Sequence, residues 1–241
     1  MRTTSIPALA LALFISGCAS TLPADRIAAI VASPERSAAD RTNDVRRKPA
    51  EVLTFIGIRP GSVALDVSAG RGYTTELLAR AVGPQGKVYG QTQAPTPPAL
   101  AERARNPATS NIVPVVRPVQ DPVPPEVARE GLDLATLMFN YHDLGHMGVD
   151  RGRMNRAIFD ALKRGGSYVI ADHSGRAGTG ISESGTLHRV EEAFVIAEVQ
   201  AAGFRLAESG NFLRNPADPR DRETPQPPMP KDEFVLKFVK P

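Results

Sequence analysis

Val63-Ala-Leu-Asp-Val-Ser-Ala-Gly-Arg-Gly-Tyr73 decides how this chain is read. The apolar run 63–67 predicts a short strand, a glycine-punctuated turn follows, and Thr74–Val82 has the spacing of a helix directly behind it. A strand running through such a turn into a helix is where doubly wound α/β folds hold nucleotide-like ligands. Gly70 and Gly72 can take positive φ and carry no Cβ, so a ligand can approach the backbone. The helix N-terminus adds free N–H groups and a positive dipole end, and Asp66 adds an acceptor. A glycine loop by itself leaves open a tight turn with no ligand.

Outward from this turn the pattern of elements continues. Asp44–Ile56 reads as helical from Pro49, a residue suited to the first helical position, with Val52, Leu53 and Ile56 on one face. Gly57–Gly61 then turns into the first strand, and Gly83-Pro84 stops the helix behind it. Further strands are expected at Lys87–Gln91, Ile112–Val116, Leu132–Phe139, Ser167–Asp172, Arg205–Glu208 and Phe234–Val239. Helices are expected at Leu22–Ser33, Pro97–Arg105, Arg151–Leu162 and Leu187–Ala202. Pro114 assigns its strand to an edge, and the nearly unbroken apolar run 132–139 suits a strand buried on both faces. Pro34–Asn43 is polar and reads as loose, and the proline-rich stretch 214–230 reads as loop.

With 241 residues the chain has room for one sizeable α/β domain. The net charge of +3 is small and its basic residues are scattered, Trp is absent and aromatics make up only 5%, so no nucleic-acid surface is expected.

Asp66-Val-Ser-Ala-Gly-Arg-Gly72 resembles the first motif of the class I S-adenosylmethionine (SAM) dependent methyltransferases, Asp-x-Gly-x-Gly-x-Gly, with Ser68 in place of the first glycine. Leu162-Lys-Arg-Gly-Gly166 before an apolar strand is a second point of resemblance. The resemblance covers residues 44–241. It implies an α/β, Rossmann-like doubly wound seven-stranded sheet, mostly parallel with an antiparallel C-terminal strand. It also implies SAM as cofactor and methyl transfer to O, N, S or C of a small-molecule acceptor.

Residue by residue, the resemblance assigns Asp66, Ser68, Gly70 and Gly72 to the methionine end of SAM, with Tyr73 either beside that pocket or packed away from it. Where the family carries an acidic residue for the ribose, this chain has Gln91 and Thr92. Exchanging a charged for a neutral acceptor there costs about 1–3 kcal/mol. Asp121 is either the acceptor for the adenine amino group or a turn-forming Asp before Pro122. Asn140, after the fourth expected strand, faces cofactor and substrate. His142 and His173 fall on the same rim as candidate general bases, against the alternative of surface or capping histidines. His188 either covers the pocket or is a polar residue opening the 187–202 helix.

The N-terminus addresses compartment. Ile6–Ile15 is apolar apart from Pro7, and ten residues fall short of the roughly 20 that span a bilayer, so residues 1–17 are expected to be a signal peptide. Ile15-Ser-Gly-Cys18 resembles a bacterial lipobox, with the sole cysteine at the lipidated position and no Asp at Ser20. Residues 18–43 are then a lipid-tethered segment with a short helix, and the chain is expected in the envelope, periplasmic and anchored to the outer membrane. A conventional cleavage, with Cys18 incidental, is the alternative. His142 and His146 are four apart near Asp143, Asp172 and His173, but Gly145 and Gly148 argue for a loop and no zinc signature is matched, so no metal is expected. Two other functions remain: a non-catalytic binding or accessory lipoprotein on the same scaffold and, last, a metal-dependent hydrolase.

Overall fold

A computed structural model describes residues 21–93, 95–225 and 228–241, with backbone alone at 128 and 129. The expected signal peptide and Cys18 lie outside these residues. In chain order the elements are α1 (Ala24–Val31), α2 (Ala38–Arg47), α3 (Pro49–Ile56), β1 (Val63–Val67), α4 (Tyr73–Val82), β2 (Lys87–Thr92) and α5 (Pro98–Arg105). There follow a 3-10 turn (Pro107–Thr109), β3 (Ile112–Val116), α6 (Val127–Glu130), β4 (Leu132–Met138), α7 (Asp143–His146) and α8 (Arg151–Ala161). The chain ends with β5 (Leu162–His173), α9 (Glu192–Ala201), β6 (Arg205–Gly210) and β7 (Glu233–Val239).

The strands form one seven-stranded sheet in the order β3-β2-β1-β4-β5-β7-β6. β1 pairs in parallel with β2 and β4, and β7 inserts antiparallel between β5 and β6. This is the α/β architecture expected, and Pro114 sits on the edge strand β3. Alternation along β1 sends Ala64 to a core built with α1, α3 and α4, and sends Leu65 and Val67 to the opposite core under α8 and α9. Asp66 therefore points to the α4 side, beneath the glycine turn.

Three local expectations change. Residues 34–43, read as loose, contain the start of α2, whose Ser37 hydroxyl accepts the Asp40 N–H at 3.0 Å as an N-cap. This helix has almost no apolar face, and ion pairs hold it instead. The helix expected from Leu187 begins at Glu192, because Val190 is taken up in a bridge to Ser174. β5 begins at Leu162 rather than Ser167, with an irregular register beside β4.

Arg189 pins the described part of the proline-rich stretch at Asp218 and Arg222. Its guanidinium donates to both carboxylate oxygens of Asp218 (2.9 and 3.2 Å), to the Ser174 carbonyl (3.0 Å) and to the Arg222 carbonyl (3.1 Å). Both members of the pair are fully buried. Arg189→Met should lower unfolding free energy by about 3–5 kcal/mol, since it strands a buried carboxylate. Chemical denaturation monitored by circular dichroism measures this; a loss within experimental error would contradict the pinning role.

Candidate functional site

The strand order reverses between β1 and β4, which opens a crevice at their carboxyl ends. A cleft of about 300 Å³ occupies it, lined among others by Asp66, Ser68, Gly70, Asn140, Arg47 and Arg103. α2 roofs it through Ser37, Asp40 and Asn43. A larger cavity of about 670 Å³ lies at the opposite, amino ends of the strands, where open α/β sheets do not hold their ligands.

The glycine turn has the expected geometry. Ser68, Gly70 and Gly72 have φ of 53°, 54° and 84°. A Cβ on Gly70 would meet only the Ser68 carbonyl at 3.9 Å, so its upper side is open toward the cleft. A Cβ on Gly72 would strike Arg103 and Leu100 at 2.9 Å, so this glycine serves helix packing against α5. Asp66 is buried, and its two oxygens accept the hydroxyls of Thr75 (2.6 Å) and Thr136 (2.7 Å). Burial pushes its pKa up to about 6 despite those bonds and the charge of Arg47.

Gln91 is not free to hold a ribose. Its amide oxygen accepts the Ser68 N–H (2.9 Å), its amide nitrogen donates to the Arg117 carbonyl (2.7 Å), and it is fully buried. Gln91 thus splices the glycine turn to the end of β3. Thr92 is buried as well, with a hydroxyl that finds no partner among the described residues, and neither residue lines the cleft. Asp121 also stands apart, its carboxylate paired with Arg117 at 2.7 Å. Of the two readings for Asp121, the turn is what the local bonds favour.

α2 brings residues that the sequence reading did not single out. Asp40 pairs with Arg103 at 2.8 Å, and Arg103 Nε donates to the Arg71 carbonyl at 2.9 Å. Asp44 accepts Tyr73 Oη at 2.6 Å and both guanidinium nitrogens of the buried Arg36 at 2.7 Å. Tyr73 therefore fastens the roof to α4. The Arg47 guanidinium lies 4.4 Å from the Phe139 ring centre and 5.3 Å from that of Tyr73, and burial lowers its pKa. Ser37-Ala-Ala-Asp40 is a helix-start signature, and it was the one signal available for this roof.

A second cluster adjoins the cleft through Asn140, whose amide nitrogen is 3.4 Å from Asp143 Oδ2. All four histidines of the chain gather here. His142 donates its backbone N–H to Asp172 Oδ2 at 2.7 Å, and its Nδ1 lies 2.6 Å from Oδ1 of the same buried carboxylate. The backbone N–H of His173 also donates to Asp172, at 2.7 Å. Burial opposes protonation of His142, but the bond and charge of Asp172 and the charge of Asp143 outweigh it and raise its pKa. His173 stands 3.0 Å from Glu233, and burial holds its pKa down. The two rings are 5.3 Å apart. His188, at φ 49°, lies against Asp143 rather than opening a helix. His146 turns to Ser184 Oγ at 3.0 Å, so the i, i+4 pair with His142 does not converge.

Residues 24–115, less than half of the chain, match the family described as protein-L-isoaspartate(D-aspartate) O-methyltransferase. No curated protein matches the sequence. Among solved structures, a SAM-dependent methyltransferase from Aquifex aeolicus superposes with a TM-score of 0.62 and 18% identity, covering 91% of this chain and 100% of that one. A structure described as a possible exported protein from Bordetella parapertussis gives 0.53 and 18%, covering 92% and 80%. The cyclase SpnF gives 0.61 and 18%, covering 85% and 82%. The chain therefore has the Rossmann-like fold of the class I methyltransferases, a scaffold that does not by itself fix the reaction.

Gln91→Leu should destabilise the protein by about 1–3 kcal/mol, because it leaves the Ser68 N–H and the Arg117 carbonyl without partners. A thermal melt equal to that of the parent protein would show that the splice carries no weight.

Proposed function

We propose that this protein is a SAM-dependent methyltransferase acting on a small-molecule acceptor. The observation that carries the reading is the cleft over Asp66–Gly72, open above Gly70 and backed by a buried carboxylate. The methionine end of SAM fits these residues: Asp66 offers negative charge to an ammonium, and Arg47 offers positive charge to a carboxylate. The ribose end has no carboxylate at β2. Asp40 and Arg103 also line the cleft. When bound, SAM supplies an activated methyl group. The chain's own work is to align the acceptor on the Asn140 side, exclude water beneath α2, and take up the acceptor's proton at His142 or His173. The spent Gln91 favours one other reading, a scaffold that binds a nucleoside-like ligand without turning it over.

We further propose export and anchorage at Cys18, on the periplasmic face of the outer membrane. Support comes from Thr21, which lines the cavity at the amino ends of the strands beside Arg59, Lys163, Arg164 and Lys237. Cys18 lies only three residues earlier, a reach of about 10 Å. An anchored chain would thus turn a basic surface to the lipid headgroups, each charge contributing about 1 kcal/mol on anionic lipid. The cleft would open on the far side. Among the described residues no helix is long and apolar enough to cross a membrane.

Calorimetry with SAM and S-adenosylhomocysteine is expected to show one site, lost in Gly70→Arg; no heat at millimolar ligand sinks the enzyme reading. A product assay on acceptor candidates then separates turnover from binding alone. The raised Asp66 pKa predicts that SAM affinity climbs as pH rises through about 6, where the carboxylate ionises. Without ligand the sign reverses: the native state keeps a proton that the unfolded chain has released, so stability falls between pH 3.8 and about 6. Asp66→Asn should flatten both profiles. Palmitate labelling is expected to vanish in Cys18→Ser, and labelling that survives refutes anchorage at that residue.

A further inference from the structure

His142, Asp143 and His188 bring one ligand atom each to within 4.8 Å of one another. The separations suit a shared ion. His142 Nε2 is 3.1 Å and His188 Nδ1 is 3.0 Å from Asp143 Oδ1. Two donors bound to one first-row ion at about 2.1 Å, and separated by about 90–109°, are themselves about 3.0–3.4 Å apart. From these contacts we infer a binding site for a divalent first-row transition-metal ion, held by His142, Asp143 and His188.

Three further observations support a built site. The far nitrogen of His142 is held by Asp172, an arrangement that fixes the ring and leaves Nε2 facing Asp143. A carboxylate behind a ligating imidazole is the usual outer shell of such sites. Asp172 itself is anchored in β5 and takes two backbone N–H donors as well, so the ring's position is set by the sheet. His188 is delivered at φ 49°, a conformation that costs a residue with a Cβ and persists only where its surroundings enforce it. The enforcement is visible: Val190 N–H donates to the His173 carbonyl, Gly175 N–H donates to the Val190 carbonyl, and Arg189 is locked to Asp218. Two imidazoles and one carboxylate favour zinc, iron, manganese or cobalt over magnesium and calcium, which prefer all-oxygen shells.

Three protein donors leave positions for further ligands, and the cluster meets the cleft at Asn140. An oxygen-bearing small molecule completes the shell from that side. With His142 committed as a ligand, the proton-accepting role falls to His173. The inference does not rest on the methyl-transfer reading, because the site is defined without SAM and its test omits SAM.

The test is titration of the metal-stripped protein with Zn²⁺ by calorimetry and with Co²⁺ by visible absorption. One equivalent is expected, with a d–d band for cobalt showing nitrogen and oxygen ligation. Asp143→Asn keeps the side-chain shape and should weaken binding by more than about 100-fold, beyond the 10–100-fold typical for loss of an outer-shell partner. His188→Ala should do the same, with circular dichroism confirming that both variants fold. His146→Gln, outside the ligand set, should bind as the parent does. Failure of the parent protein to bind either ion at millimolar concentration overturns the site. So does parental affinity in both Asp143→Asn and His188→Ala.

Discussion

β1 is hydrogen-bonded in parallel to β2 on one side and β4 on the other, and the location of the site depends on that pairing. Parallel neighbours require crossovers, and here α4 leaves β1 over one face while α8 leaves β4 over the other. The chain cannot cover the gap between these departures, so a crevice stays open at the two carboxyl ends. The same register sets Asp66 beside Thr136, and the hydroxyl of Thr136 bonds the carboxylate across the strands. A buried acid is thus built into the floor of the cleft by sheet pairing, and its raised pKa follows from that position.

The roof is made differently. α2 has no apolar stripe to bury, and its attachment runs through Asp44 to Arg36 and Tyr73 and through Asp40 to Arg103. Exposed ion pairs contribute little each, but Arg36 is buried and bidentate to Asp44, and it donates to the Val31 carbonyl as well. Tyr73 opens α4 directly after the glycine turn, so roof and floor meet at one residue. Charge is divided to match: Asp66 lies beneath the cleft and Arg47 along its wall, between two aromatic rings.

The division between what the sequence revealed and what it hid follows interaction range. Val63–Gly72 spelled out strand, turn and helix because each depends on local spacing and on glycine at positive φ. Pro114 announced an edge strand for an equally local reason, its missing N–H. α2 was hidden because periodicity arguments look for apolar faces, while its charged partners lie far along the chain, at Arg103 in α5 and Glu233 in β7. Gln91 reads as a ligand acceptor because nothing local says that its side chain is already bonded to residues 23 and 26 positions away. His188 was placed on a helix because its neighbours have helical composition; the bridge between Ser174 and Val190 overrode them.

The histidine rim shows how far long-range pairing can order a set of loop residues. Asp172 is the last residue but one of β5, and its side chain bonds the backbone of both His142 and His173. Tyr141, between Asn140 and His142, bonds Glu198 and Asn155, so the loop after β4 is tied to α8 and α9 as well. Ser184 Oγ donates to the His142 carbonyl and accepts the His146 N–H, which brings in the segment before α9. His142 is therefore oriented by β5, His173 by its own strand and by Glu233 of β7, His188 by Asp143 of α7, and His146 by the segment before α9. That cross-bracing accounts for a rim whose members are dispersed in sequence yet gather next to the cleft, with Asn140 at the join.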